Sequence, residues 1–312
     1  MKAETPTELR ADIERLRREK NAVIMAHYYQ RDEIQEIADF IGDSLALARQ
    51  AAQTDADIIV MCGVHFMGET AKILCPDKKV LVPDTAAGCS LADSCPPEEF
   101  RAFIEAHPGH TVVSYVNTSA AVKAMTDIVV TSGNARKIID QLPADEKIIF
   151  GPDKNLGSYI NAETGREMLL WDGACHVHDR FSLDAIERLR REHPGAQVLV
   201  HPECRRPLQL IADKVGSTAA LLDYARSSDC REFIVATESG ILFELQRSCP
   251  DKTFIPAPPE QAGCACNECD FMKLNTLRKL RDALATEQPE ITVDAETARL
   301  ALRPIERMLA MS

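Results

Sequence analysis

The sequence predicts an α/β protein of three related α/β/α (three-layer) repeats, with short parallel sheets around a central active site. Three observations predict it. Short β-branched apolar runs alternate with helical stretches along the whole chain, the pattern of parallel sheets covered by helices. The same order of strands and helices returns three times. The polar residues that end matching strands, His27, Tyr115 and His201, stand 88 and 86 residues apart. Ligands of open parallel sheets bind beyond the carboxyl ends of the strands, so three such ends facing one another would enclose one site.

Residues 1–20 form a mixed-charge helix without the apolar stretch of an export signal or the acid-poor character of a transit peptide, which places the chain in the cytoplasm. The first repeat reads as strand 22–27, a helix from about 32 to 53, strand 57–61, a helix near 69–74 and strand 79–82. The second reads as strand 110–115, a helix near 119–125, strand 127–131, a helix near 135–142 and strand 147–150. In the third, strand 196–201 precedes a helix near 208–215 and another after it, strand 232–236, a helix near 241–248 and strand 252–255. Pro and Gly at 96–97, 108–109, 194–195 and 256–259 mark the connections. The expected units are therefore 1–95, 96–182 and 183–270, with helices in 271–312 capping the repeats.

Among 312 residues, 36 are Lys or Arg and 48 Asp or Glu, a net charge of −12. With no basic run, nothing offers an electrostatic footprint for nucleic acid. The apolar run at 57–63 is far shorter than the roughly 20 residues that span a bilayer, so no membrane segment is expected. Eleven cysteines, an odd number in a reducing compartment, argue for metal ligation or redox chemistry over a disulfide framework. A small-molecule enzyme is the class these features favour.

Each repeat carries a cysteine after its third predicted strand: Cys89, Cys175 and the group Cys264, Cys266 and Cys269. Three thiolates from separate segments suit a [4Fe-4S] cluster with one iron left open; zinc ligation and structural or redox thiols are the alternatives. The spacing in the last group is neither a ferredoxin run nor a paired zinc ribbon. Polar clusters follow the strands at 27–29, 115–117, 176–178 and 201–203, where catalytic residues are expected. Glu203 and Tyr29 are candidates for acid–base work. Small residues at 42–44, 131–134 and 216–218 open helices whose N–H groups can hold carboxylate or phosphate. The run from Gly63 to Thr70 imitates a phosphate loop, but Glu69 stands where Lys is required.

The runs Ala26-His-Tyr-Tyr-Gln30, Gly42-Asp-Ser44, Met61-Cys-Gly-Val-His-Phe-Met-Gly-Glu-Thr70 and Ser114-Tyr-Val-Asn-Thr118 resemble the quinolinate synthase family. So do Thr131-Ser-Gly-Asn134, Phe150-Gly-Pro-Asp-Lys-Asn-Leu-Gly157, Gly173-Ala-Cys-His-Val-His178, His201-Pro-Glu-Cys204 and Gly216-Ser-Thr218. The resemblance covers about residues 20–310 in order. It implies three α/β/α repeats, one [4Fe-4S] cluster per chain, and condensation of iminosuccinate with dihydroxyacetone phosphate to quinolinate, phosphate and water on the route to NAD. It implies cluster ligands at Cys89, Cys175 and Cys269. Iminosuccinate would be held by His27, Ser44, Tyr115, Val116, Asn117, Ser132, His201, Pro202, Glu203 and Thr218. Tyr29 and Glu203 would transfer protons, with His178 close to the cluster and the open iron acting as Lewis acid. The expected functional link is to the L-aspartate oxidase or aspartate dehydrogenase that makes the imine. Two departures stand out: Asp270 follows Cys269 where the family commonly has Pro, and the family varies in its preceding cysteines, which leaves Cys264 and Cys266 as either inert thiols or a redox-sensitive pair, with Cys266 the substitute ligand if Cys269 is not used. The rival readings are a zinc-dependent lyase or aldolase, and a non-catalytic iron-sulfur sensor of small dicarboxylates.

Overall fold

The computed structural model describes residues 4–260 and 267–312. Within them twelve strands form three four-stranded, wholly parallel sheets. The first sheet contains β1 (Ala22–His27), β2 (Phe40–Gly42), β3 (Ile58–Cys62) and β4 (Lys79–Leu81). The second contains β5 (Thr111–Tyr115), β6 (Ile128–Val130), β7 (Ile148–Gly151) and β8 (Leu169–Leu170), and the third β9 (Gln197–Val200), β10 (Lys214–Val215), β11 (Glu232–Ala236) and β12 (Thr253–Pro256). In each sheet the first strand lies between the second and third, and the fourth flanks the third: β2-β1-β3-β4, β6-β5-β7-β8 and β10-β9-β11-β12. The chain reverses direction of travel between the first and third strands, and that switch point is where such sheets bind ligands.

The central strands are continuous apolar runs because helices cover both faces; all five residues of β3 are buried. Triplication reaches the hydrogen bonds. In the first repeat the Asp39 carboxylate accepts from Ile24 N–H at 2.8 Å, and Asp39 N–H donates to the Ile24 carbonyl at 2.9 Å. Asp127 makes the same pair with Val112 (2.8 and 2.9 Å), and Asp213 with Val198 (2.7 and 2.9 Å). Each Asp therefore clamps the entry of its second strand to its first.

This arrangement corrects the expected strand count. The segment read as one helix over 32–53 is two helices, Asp32–Gln35 and Ser44–Gln53, separated by β2. The segment read as helix near 208–215 is helix Arg206–Ile211 followed by β10. In the second repeat β8 was not anticipated. The candidate cysteines accordingly follow the fourth strand of each repeat, not the third.

Helix Pro6–Glu19 begins on a capping box, Thr5 and Glu8, and packs against helix Leu277–Thr286. The last helix, Ala295–Met311, is capped by Asp294. It buries Ala301, Ile305 and Met308 against β6 and helix Ala120–Lys123 and also reaches helix His65–Leu74. It thus ties the second repeat to the first. No helix among the described residues is long and apolar enough to cross a membrane.

Candidate active site

The carboxyl ends of the three sheets converge on one cavity. Each repeat contributes the same three stations. At the carboxyl ends of the first strands stand His27, Tyr115 and His201; after the second, Ser44, Ser132 and Thr218; after the fourth, Cys89, Cys175 and Cys269. Tyr29, Asn117, His178 and Glu203 line the cavity as well. Two of the expected residues do not. Val116 is buried beside it, its N–H donating to the Val130 carbonyl, and Pro202 faces away, its carbonyl accepting from Gln209 Nε2 at 2.9 Å. Both hold the loops that carry their neighbours.

Polar contacts stitch the repeats together here. Tyr115 Oη donates to Glu203 Oε1 at 2.6 Å, and His201 Nε2 lies 3.3 Å from Ser132 Oγ. His178 Nδ1 lies 3.0 Å from Glu203 Oε2 and 3.2 Å from Cys175 Sγ. His178 Nε2 is 2.9 Å from Thr237 Oγ1, and Thr237 Oγ1 is 2.7 Å from Tyr29 Oη, which also meets Thr218 Oγ1 at 2.9 Å. The result is an unbroken chain from Glu203 through His178 and Thr237 to Tyr29.

The two strand-end histidines share a tautomer. His27 Nδ1 accepts from Tyr29 N–H at 3.1 Å, and His201 Nδ1 accepts from Glu203 N–H at 3.4 Å. The ring proton is therefore on Nε2, and burial pulls both histidines down to about 3, so each is a neutral N–H donor. Burial alone would raise Glu203, but His178 and the Tyr115 hydroxyl beside it outweigh that and hold the carboxyl well below its usual range. Tyr29 and Tyr115 move the other way, raised well above 10 by burial and by the charge of Glu203; both stay protonated.

No Lys or Arg lines the cavity among the described residues, so an anionic ligand there meets no lysine or arginine head directly. The N-termini of helices Ser44–Gln53 and Thr218–Ser227 face the cavity through Ser44 and Thr218 and supply part of it. The Asn117 Oδ1 and Thr131 Oγ1 atoms are buried without a partner and line the cavity, positions a bound molecule can satisfy.

Cys89, Cys175 and Cys269 are partly buried and unbridged. Burial pushes Cys89 up to about 12, Cys269 to about 11 and Cys175 well above 9, so a cation is needed to ionise them. A tetrahedral zinc needs sulfurs about 3.8 Å apart for Zn–S near 2.3 Å. These three sulfurs do not gather within 4.8 Å of one another, whereas Cys175, His178 and Glu203 do. The three thiols share the cavity but are spread too widely for all three to bind one zinc ion. Cys264 and Cys266 lie outside the described residues.

Thr237 and Glu238 were not anticipated, although both follow an apolar strand, the signal that picked out the other stations. Glu238 is buried, accepts from Cys269 N–H at 2.9 Å and pairs with Lys273 at 2.9 Å. Asp153, in the same place after β7, accepts from Cys175 N–H at 3.3 Å. Buried carboxyl groups thus hold two of the three thiol-bearing loops.

Fold and cavity define a triplicated α/β enzyme with a thiol-, histidine- and hydroxyl-lined site suited to a small anion and a metal centre. The chain belongs to the quinolinate synthase family: the family described as Quinolinate synthetase A protein matches residues 11–310. A quinolinate synthase of Synechococcus sp. is 58% identical over 307 residues, covering 98% of this chain and 96% of the relative. One of Nostoc punctiforme is 58% identical over 309 residues (99% and 95%), and one of Chloroherpeton thalassium 55% over 301 (96% and 94%).

Proposed function

We propose that the chain condenses iminosuccinate with dihydroxyacetone phosphate to quinolinate, releasing phosphate and water, as a cytoplasmic step of de novo NAD synthesis. An aspartate oxidase or dehydrogenase would supply the imine. One observation carries the reading: three thiols from three repeats open onto the same cavity as His27, His201, Ser44, Ser132, Thr218 and Glu203. The names of the relatives support the product.

Cys89, Cys175 and Cys269 would hold a [4Fe-4S] cluster, which supplies a Lewis acid through the iron that no cysteine binds. The remaining chemistry belongs to the side chains. The Nε2–H groups of His27 and His201, the hydroxyls of Ser44, Ser132 and Thr218, and the helix N-termini hold the carboxylates without adding fixed charge. Asn117 orients the imine end. Glu203, kept ionised, accepts protons; Tyr29, kept protonated, donates them to departing oxygen. His178 and Thr237 connect the two, so a proton taken at Glu203 can be returned at Tyr29. The enclosed cavity keeps bulk water from an imine that hydrolyses readily.

A second reading has its own observation: Cys175, His178 and Glu203 within 4.8 Å of one another could hold a single zinc and make the enzyme a metal-dependent lyase. The two part in one assay. Protein prepared without air, supplied with both substrates, is expected to form quinolinate, and Glu203→Gln to lose about 10²–10⁴-fold of the rate while keeping its iron. Turnover restored by zinc and not by iron and sulfide would replace the first reading with the second.

A further inference from the structure

The repeats share one more station, and there they differ. Gln35, Lys123 and Gln209 stand 88 and 86 residues apart, in register with the strand-end residues. Gln35 is buried, and its Nε2 donates to the carbonyls of Tyr28 at 3.1 Å and Gln30 at 2.9 Å. Gln209 Nε2 donates to the counterparts of those carbonyls, Pro202 at 2.9 Å and Cys204 at 2.7 Å. Lys123, wholly buried, donates its Nζ to the Thr118 carbonyl, the counterpart of Gln30 and Cys204. In every repeat, then, a buried nitrogen ties down the loop that leaves the first strand.

A neutral amide performs this task twice. Using an ammonium instead carries the large desolvation cost of a buried charge, and the loop geometry asks for none. Among the described residues no carboxylate lies within ion-pair distance of Lys123. Its Nζ sits 5.3 Å from the centre of the Phe66 ring, a wall of the cavity. The charges that reach it are those of Glu69 and Cys89. Burial draws the ammonium down to about 8, which leaves it charged at neutral pH.

We propose that Lys123 is a built-in counter-charge for the metal centre, set on the Cys89 side of the cavity to offset the negative charge of three thiolates. This rests on the cluster reading above. It gives the second repeat a role the other two lack, and it places a buried cation without an ion-pair partner among the described residues behind the Phe66 wall of the cavity and not in the substrate space. An ammonium there favours the more negative, reduced state of the centre and so raises its reduction potential.

The test is Lys123→Gln, a residue that repeats one and three already hold at this station. Iron and sulfide content and the reduction midpoint are measured by spectroscopic redox titration of anaerobically prepared protein, with Lys123→Arg as the charge-preserving control. The expected Lys123→Gln protein is folded, carries the cluster and has a more negative midpoint than the parent, with Lys123→Arg close to the parent. Loss of the cluster in Lys123→Gln but not in Lys123→Arg would also support the proposal, since the neutral residue serves as the loop tie in the other two repeats and the retained charge is what Lys123→Arg shares with the parent. An unchanged midpoint in loaded Lys123→Gln overturns it, as does loss of the cluster in both variants, which would make Lys123 a loop tie and nothing more. Parent protein that takes up no iron-sulfur cluster defeats the underlying reading and is visible in the iron assay before any variant is compared.

Discussion

His27 and His201 do the same work from different repeats, each surrendering Nδ1 to a backbone N–H two residues on and keeping Nε2–H for the cavity. Their neutrality has a consequence for stability. The folded values sit near 3 against about 6.5 for an unfolded histidine, so between those limits the unfolded chain binds more protons. Stability must then fall as pH drops through that window. The thermal midpoint is expected to decrease from pH 7 to pH 5, and His201→Gln to flatten that slope; a midpoint independent of pH in the parent would contradict the assignment. Thr237 offers a second check. Thr237→Val keeps the shape and cuts the link between His178 and Tyr29, so turnover should drop by about 10²-fold with substrate affinity retained, and Thr237→Ser should restore it. Activity of Thr237→Val equal to the parent would remove the hydroxyl from proton transfer. Thr237 shows where sequence reading stopped: it has the same place after a strand as His201, but a threonine there is indistinguishable from an ordinary cap until the histidine and tyrosine that flank it in space are seen.

At the level of elements, the long buried strands were legible and the short edge strands were not. β1, β3 and β5 announce themselves as β-branched runs, since both faces are covered. β2 has three residues, β8 and β10 two, too few for any periodicity, and β2 borrows the apolar spacing of the helices beside it. What places it is Asp39, whose clamp on Ile24 recurs at Asp127 and Asp213. Asp213→Ala would leave the Val198 N–H without its acceptor at a cost of about 1–3 kcal/mol, read as a lower denaturation midpoint in urea; an unchanged midpoint would mean that the clamp carries no stability. Gly240 marks a closer approach: a Cβ there would lie 2.8 Å from the Tyr29 backbone, which cannot retreat without moving the phenol. Gly240→Ala is expected to lower turnover through Tyr29 while leaving the sheets intact, as far-ultraviolet circular dichroism would show.

Over the whole molecule, an acidic chain of net charge −12 is read as the host of anionic substrates, and the site resolves the conflict locally. Helix N-termini, neutral imidazoles and hydroxyls converge from three sheets, with no lysine or arginine among the described lining residues. The threefold plan was visible in the spacing of His27, Tyr115 and His201, because each repeat must end its first strand at the shared centre. Whether three thiols meet there was not visible from spacing alone, since their loops differ in length: Cys89 and Cys175 are 86 residues apart, Cys175 and Cys269 are 94. The central claim is that these thiols hold one iron-sulfur cluster. Its most direct test is iron, sulfide and zinc analysis of anaerobically purified protein, with absorption spectra before and after exposure to air, for the parent and for Cys269→Ser. Four irons and four sulfides per chain, a brown colour that bleaches in air, and loss of both in Cys269→Ser are the predicted result. Stoichiometric zinc and no colour after anaerobic reconstitution, or a fully loaded Cys269→Ser protein, would contradict it.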